Sequence, residues 1–297
     1  MVLQKPSVII WTVGILAALC LLPTSAIAGD AVKAKEHFNS GIKLMAEKKE
    51  SLAIAEYRLA IQEDPHFIDP YFNLGSYYFN NEKYGEAENY FRKATEIDSR
   101  NADAWAKLGL TYSKEAKNVE AENAYKTALS NKSDFYEVYK YLGFLYQARQ
   151  NWPALIDNMK IYNEKKGGDG EGYFLLGRGY QGLKKYPEAI IAYNEAIKLN
   201  KDYFNASNGL GQIYLAQENY AQAFKMFEQV VRLKPDNYLA HYNLAIAFEQ
   251  QNSDKLSEVI TYWNKFLRIA KNNPKAQKLI PQTEQHLKEL QDQQDKK

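Results

Sequence analysis

Along most of this chain the apolar residues fall into two stretches of helical spacing divided by a short polar turn, and the pair of stretches recurs. Counted from Ile68 as position 1, Tyr71, Leu74, Gly75 and Tyr78 occupy positions 4, 7, 8 and 11, and Ala87, Phe91 and Ala94 occupy 20, 24 and 27. Residues three and four apart share one face of a helix, so 68–101 predicts two amphipathic helices joined by the turn 80–84. The register is clearest at position 8, where Gly41, Gly75, Gly109, Gly143, Gly177 and Gly211 stand 34 residues apart and Ala245 takes the next place. A helix pair of this size hides too little apolar surface to offset the chain entropy it loses, and must stack on its own copies. Small residues at 8 and 20 let its two helices approach, Ala at 27 leaves room for the next copy, and the larger side chains at 4, 7, 11 and 24 fill the space between.

Seven copies follow one another: 34–67, 68–101, 102–135, 136–169, 170–203, 204–237 and 238–270. Their common set is Trp or Tyr at 4, Leu-Gly at 7 and 8, Tyr at 11, Ala at 20, Phe or Tyr at 24, Ala at 27 and Pro at 32. The third copy shows it in Trp105, Leu108, Gly109, Tyr112, Ala121, Tyr125 and Ala128. This set resembles the tetratricopeptide repeat. The resemblance implies an all-α fold, a right-handed superhelical solenoid of helix-turn-helix repeats closed by a C-terminal capping helix. It also implies a concave groove lined by the first helices at positions 2, 5, 6, 9, 12 and 13, and a partner that is a protein or peptide. There the chain places Phe38, Phe72, Asn73, Phe79, Lys140, Phe144, Phe174, Arg178 and Tyr242, the expected partner-binding residues. Aromatics interspersed with cations suit an extended peptide or a helix. Position 2 is acidic in Asp69, Asp103, Glu137 and Glu171, an arrangement favoured at helix N-termini. Two known groove patterns of the family are absent. Phe38 and Ile42 stand where a carboxylate clamp needs Lys and Asn, and Lys107, Tyr141, Leu175 and Gly209 break an asparagine ladder at position 6.

Two copies depart from the pattern. In the fourth, Leu155, Met159 and Tyr162 stand at 20, 24 and 27, and the segment from Gly167 to Gly172 and the helix after it are rich in glycine. Either bulk on one helix is offset by lost side chains on its neighbour, with a flexible joint between them, or the repeat has merely drifted. The two halves of the array are then expected to flex at this joint, with Lys140, Phe144, Phe174 and Arg178 holding the partner there and neither Phe174 nor Arg178 needed for packing. In the seventh, the turn through Asn252, Ser253 and Asp254 is two residues longer, and Ser253 or Asp254 is expected to cap the helix that follows. Residues 271–290 are expected to form the capping helix, bent or restarted at Pro281, and 291–297 a frayed tail.

Residues 1–28 stand outside the pattern. Lys5, an apolar run from Val8 to Leu22 and Ala26-Ile27-Ala28 read as a secretory leader cleaved before Gly29, followed by a short linker 29–33. Cys20, the chain's one cysteine, lies in that leader, which excludes disulfides and thiolate metal sites from the mature chain. Without Lys5 there are 37 basic and 36 acidic residues, so no broad field attracts nucleic acid. Gly177 to Gly182 matches G-x-G-x-x-G, but it falls within a repeat's first helix, where no dinucleotide would bind. His37, His66, His241 and His286 are scattered, and the sequence offers no catalytic residues, cofactor or metal. The expectation is an exported, non-enzymatic scaffold, periplasmic or secreted, that binds a protein segment rather than a small-molecule substrate. An uncleaved leader would instead give a membrane-tethered assembly factor for a secretion, pilus or polysaccharide export system.

Overall fold

The computed structural model describes residues 30–296, and all of their regular structure is helical. The described residues divide into two compact parts, one ending at Tyr77 and one beginning at Tyr78. The repeats supply seven pairs: α1 (Ala31–Ala46) and α2 (Glu50–Glu63), α3 (Ile68–Asn80) and α4 (Tyr84–Ile97), α5 (Ala102–Lys114) and α6 (Asn118–Asn131), α7 (Tyr136–Ala148) and α8 (Trp152–Lys166), α9 (Gly170–Gly182) and α10 (Tyr186–Leu199), α11 (Phe204–Ala216) and α12 (Tyr220–Leu233), α13 (Tyr238–Gln251) and α14 (Leu256–Ala270). A 3-10 segment, Pro274–Leu279, leads into α15 (Ile280–Gln294). No helix among the described residues is long and apolar enough to cross a membrane.

In the first part, α1 packs on α2. The expected linker is helical from Ala31, because the Asp30 carboxylate accepts the Lys33 N–H at 3.1 Å and starts α1 three residues early. On α1, Glu36 and Lys43 are exposed and Ser40 half-buried, whereas Ala104, Leu108 and Thr111, their counterparts on α5, are buried. The first repeat thus presents polar residues where later repeats present a packing face.

In the second part, each helix packs on the next from α4 to α15, and first helices also touch one another, α5 on α7, α7 on α9, α9 on α11. Position 8 must be small because it lies under the ring at position 24: a Cβ on Gly109 would stand 2.7 Å from Tyr125, and one on Gly177 2.6 Å from Tyr193. Tyr193 is covered from the other side by Gly209 of the next repeat, and is fully buried.

The fourth and fifth repeats exchange bulk for glycine. A Cβ on Gly172 would strike Asn163 and Tyr162, one on Gly179 would stand 2.7 Å from Ile156, and one on Gly182 would enter the Trp152 ring. The large side chains of α8 therefore occupy the volume that α9 gives up, and the departure is complementary packing rather than drift.

The turns inside the repeats share a backbone feature invisible in the residue types. Lys48, Glu82, Ala116, Gln150, Lys184 and Glu218, all at position 15, are left-handed with φ between 54° and 60°. The next N–H reaches back to the carbonyl at position 11, as in Lys117 N–H to Tyr112 O at 2.9 Å, and closes the helix end. The seventh repeat lacks this turn. There α13 runs one residue longer, Asn252 has φ −136°, and α14 begins after Lys255 without a side-chain cap, so neither Ser253 nor Asp254 caps it. The added length carries both residues ahead of the capping position.

Between repeats, position 4 ties back to the preceding loop. The Tyr71 hydroxyl donates to Pro65 O at 3.1 Å, Trp105 Nε1 to Ser99 O at 2.9 Å, Tyr139 to Ser133 O at 3.4 Å and His241 Nε2 to Pro235 O at 2.9 Å, each six residues back. In the sixth repeat the buried Ser207 is too short to reach, and Gln229 donates to Lys201 O instead.

The C-terminal cap begins at Pro274 rather than 271 and comes in two pieces, with Pro281 in the first turn of α15. Ala276, Leu287 and Leu290 join Val259, Trp263 and Phe266 in one cluster. Because Leu290 is buried, α15 continues to Gln294, four residues into the segment expected to fray.

Candidate binding groove

Position 5 was expected to face a partner, yet its aromatics pack within their own repeat. Phe38 lies 5.8 Å from Tyr57 and 5.1 Å from Phe67, and Phe174 stands in the same relation to Tyr193 at 6.0 Å and Tyr203 at 5.5 Å. The cause is the chain at position 34, which loops under the first helix and meets position 5. Phe174 is therefore a packing residue, contrary to expectation. Tyr242 also packs within its own repeat, but against α14 rather than position 34, edge-on to Trp263 at 5.4 Å and Phe266 at 5.2 Å. Phe79 packs on Tyr84 of its own turn at 5.5 Å. Phe72 is half-buried on α3, and Asn73 hydrogen-bonds the Tyr57 hydroxyl, whose pKa burial raises and Asn73 pulls back.

Lys140 fills the same slot with charge. Its ammonium meets Asp169, the position-34 residue, at 3.1 Å and Glu171 at 2.6 Å. Burial opposes that charge, but the two carboxylates outweigh it and hold the lysine pKa above its ordinary value. Asp169 also accepts the Tyr162 hydroxyl and the Gly172 N–H, both at 2.7 Å, and so caps α9. Burial works against its charge, but these donors keep its pKa below the ordinary carboxylate value. Burial and the bond to Asp169 push Tyr162 up to about 12. The joint at Gly167–Gly172, where flexing was expected, is therefore cross-tied by a polar cluster. Arg178 donates to Gln181 at 3.4 Å and hydrogen-bonds Tyr193.

Phe144 behaves differently. It is 42% exposed, and it borders a recess of about 320 Å³ between α5, α6 and α7. Tyr125, Tyr141, Leu110, Leu145 and Ala148 give that recess apolar walls, with Ser113, Lys114 and Asn118 at its polar side. The Ser113 and Tyr125 hydroxyls are 3.2 Å apart, which fixes the polar end of that wall. Sequence reading selected Phe144 but passed over Leu110, Tyr141 and Lys114, although all three stand at groove positions 9, 6 and 13. The signal was the register itself, since picking aromatics at position 5 favoured residues the loop had already claimed.

Comparison with known proteins places this geometry. A tetratricopeptide repeat model matches residues 68–101 and 102–135, and a second repeat model of the same kind matches 180–218 and 211–252. These are tetratricopeptide repeats. The solved C-terminal part of a TPR repeat-containing protein from Cytophaga hutchinsonii superposes with a TM-score of 0.65 at 16% identity, over 80% of this chain and 97% of that one. YrrB, described as a TPR protein with an unusual peptide-binding site, superposes at 0.56 with 22% identity, over 63% of this chain and 96% of that one. The human tetratricopeptide repeat protein 21B is 24% identical over 90 residues, 30% of this chain but only 7% of that relative's length. At these identities the likeness concerns the fold.

Elsewhere in the array the polar chemistry serves packing. Gly177 to Gly182 lies wholly within α9. His37 meets Glu56 at 2.8 Å, and His286 meets Glu249 at 3.0 Å where Trp263 Nε1 also donates, which pins α15 to α13. Burial lowers the pKa of His241, which keeps it neutral and able to donate to Pro235 O. Among the described residues no group of three metal-ligating side chains comes together.

Proposed function

We propose that this chain is an exported scaffold, without catalytic chemistry of its own, that holds a segment of a partner protein along the first-helix face of its second part. The observation behind this reading is the α5–α7 recess, where Phe144 stays exposed while the other aromatics of the face are packed. Exposed aromatic anchors beside apolar recesses are where binding energy concentrates. A peptide-binding site is reported for YrrB, which shares the fold. A photo-crosslinking residue at position 144 is expected to capture one partner in intact cells, whereas the same residue at Ile191, exposed on α10, captures none. Equal capture at both sites would overturn the reading.

Export rests on residues 1–28, which lie outside the described residues. The reading includes cleavage before Gly29, so the mature protein is expected to begin there. An intact N-terminus recovered with membranes would instead support the tethered assembly factor.

A further inference from the structure

Charge along the first-helix face points to one class of partner. At positions 5, 6, 9, 12 and 13 of the third to sixth repeats stand four cations, Lys107, Lys114, Lys140 and Arg178, and no carboxylate. The chain as a whole is nearly balanced, with a formal net charge of +2, so this asymmetry is local. The acidic residues of these repeats' first helices sit at position 2, in the first turns. There Glu137 is taken by Lys166 and Glu171 by Lys140, while Asp103, one turn before Lys107, is exposed and forms no ion pair among the described residues, so it leaves one carboxylate at the start of this face. Lys140 is thereby neutralised, Arg178 is held by the uncharged Gln181 and Tyr193, and Lys107 and Lys114 form no ion pair among the described residues. These two lysines stand one turn to either side of Leu110, which lines the recess beside Phe144.

Building on the scaffold reading, we infer that the α5–α7 recess receives a large apolar side chain from an acidic, extended protein segment whose carboxylates pair with Lys107 and Lys114. Seven residues of helix span roughly 10 Å, which an extended chain covers in about three residues. The recognised pattern is therefore an aromatic or large aliphatic residue between two acidic residues about three apart. The apolar anchor supplies most of the affinity and the lysines select the sequence around it.

A displayed library of random peptides about a dozen residues long, panned on the full chain, tests this. Peptides retained by the parent are expected to carry that acidic-apolar-acidic pattern, to weaken roughly tenfold or more on the Lys107→Glu, Lys114→Glu variant, and to be lost on Phe144→Ala. All three residues are exposed, so both variants fold like the parent. The double variant should in turn enrich basic peptides. Retained peptides without carboxylates, or ones indifferent to charge reversal, would overturn the inference while leaving the scaffold reading intact. Absence of retained peptides, together with failed crosslinking at position 144, would remove both. Displacement of the peptides by a single-stranded oligonucleotide would assign the cations to a phosphate backbone and also overturn it.

Discussion

Between α5 and α7 the first-helix face keeps Phe144 exposed at a recess that Lys114 borders, with Lys107 two turns earlier on α5, and neither lysine is ion-paired among the described residues. One repeat further on, between α7 and α9, an aromatic and a cation of the same face, both at position 5, are committed to the fold, with Phe174 wedged against Tyr193 and Tyr203 and Lys140 shared by Asp169 and Glu171. Register tells which side of a helix a residue occupies. Availability depends on what the loop at position 34 brings across from it, and in the third repeat, where that residue is Phe135, position 5 is the small Ala106. In the fourth repeat the residue at position 5, Lys140, is drawn to Asp169, whereas Phe144 at position 9 stays exposed.

The largest effect should come from breaking the α8–α9 exchange that makes the second region tight. Gly179→Leu is expected to cost about 3 kcal/mol in chemical denaturation, because Ile156 already fills the space. Adding Ile156→Ala should recover part of the loss, and strictly additive effects would show that the two helices do not trade volume there. Gly85→Ala, where an added Cβ meets nothing within 4 Å, is the control and should be neutral or slightly stabilising.

Next in size is the contrast between the two phenylalanines. Phe174→Ala should lose about 2 kcal/mol, below the roughly 3 to 5 kcal/mol of a fully buried ring, and Phe144→Ala less than about 0.5 kcal/mol. Equal losses would erase the distinction between the two regions.

The smallest effect concerns the polar cluster. The Asp169 carboxyl is depressed below its ordinary 3.8, so the stability it supplies is present at neutral pH and lost as pH falls through that depressed value. With its side chain 45% exposed, the contribution is about 1 kcal/mol. The gap between the parent and Asp169→Asn should be of that order near pH 7 and close in acid. A gap independent of pH would mean that the charge does not hold α9 in place.

Periodicity alone exposed the fold, because a spacing of 34 with fixed apolar positions leaves little choice for helices that must hide one face. It also raised the α8–α9 exchange, since Leu155 and Gly179 each break the pattern in opposite senses, but only the packing of Gly179 on Ile156 separates exchange from drift. The site was less legible. Phe174 and Phe144 look alike in sequence, and only the fold shows that Tyr203 returns to meet one of them. Lys140 likewise reads as a free cation until the turn brings Asp169 to it. The left-handed residue in the turns of the first six repeats had no signature, because Lys, Glu, Ala and Gln all adopt it where glycine would signal it.

The hydrogen bond from position 4 to the carbonyl six residues before it has a consequence for how this protein can change in length. That contact holds each first helix to the loop entering it, so a residue added or removed between the two would pull donor from acceptor in every repeat that has the pair. The turn between the two helices of one repeat is closed by a backbone hydrogen bond of its own helix end rather than by a side chain across the junction, and the seventh repeat shows it lengthened by two residues, without that bond, with the core around Val259 and Trp263 intact. Insertions, tags or grafted loops should accordingly be tolerated at 80–84 or 252–255 and rejected at 65–71 or 133–139. The steady spacing along the chain is kept by the junctions between repeats, and its variation is confined to the bends within them.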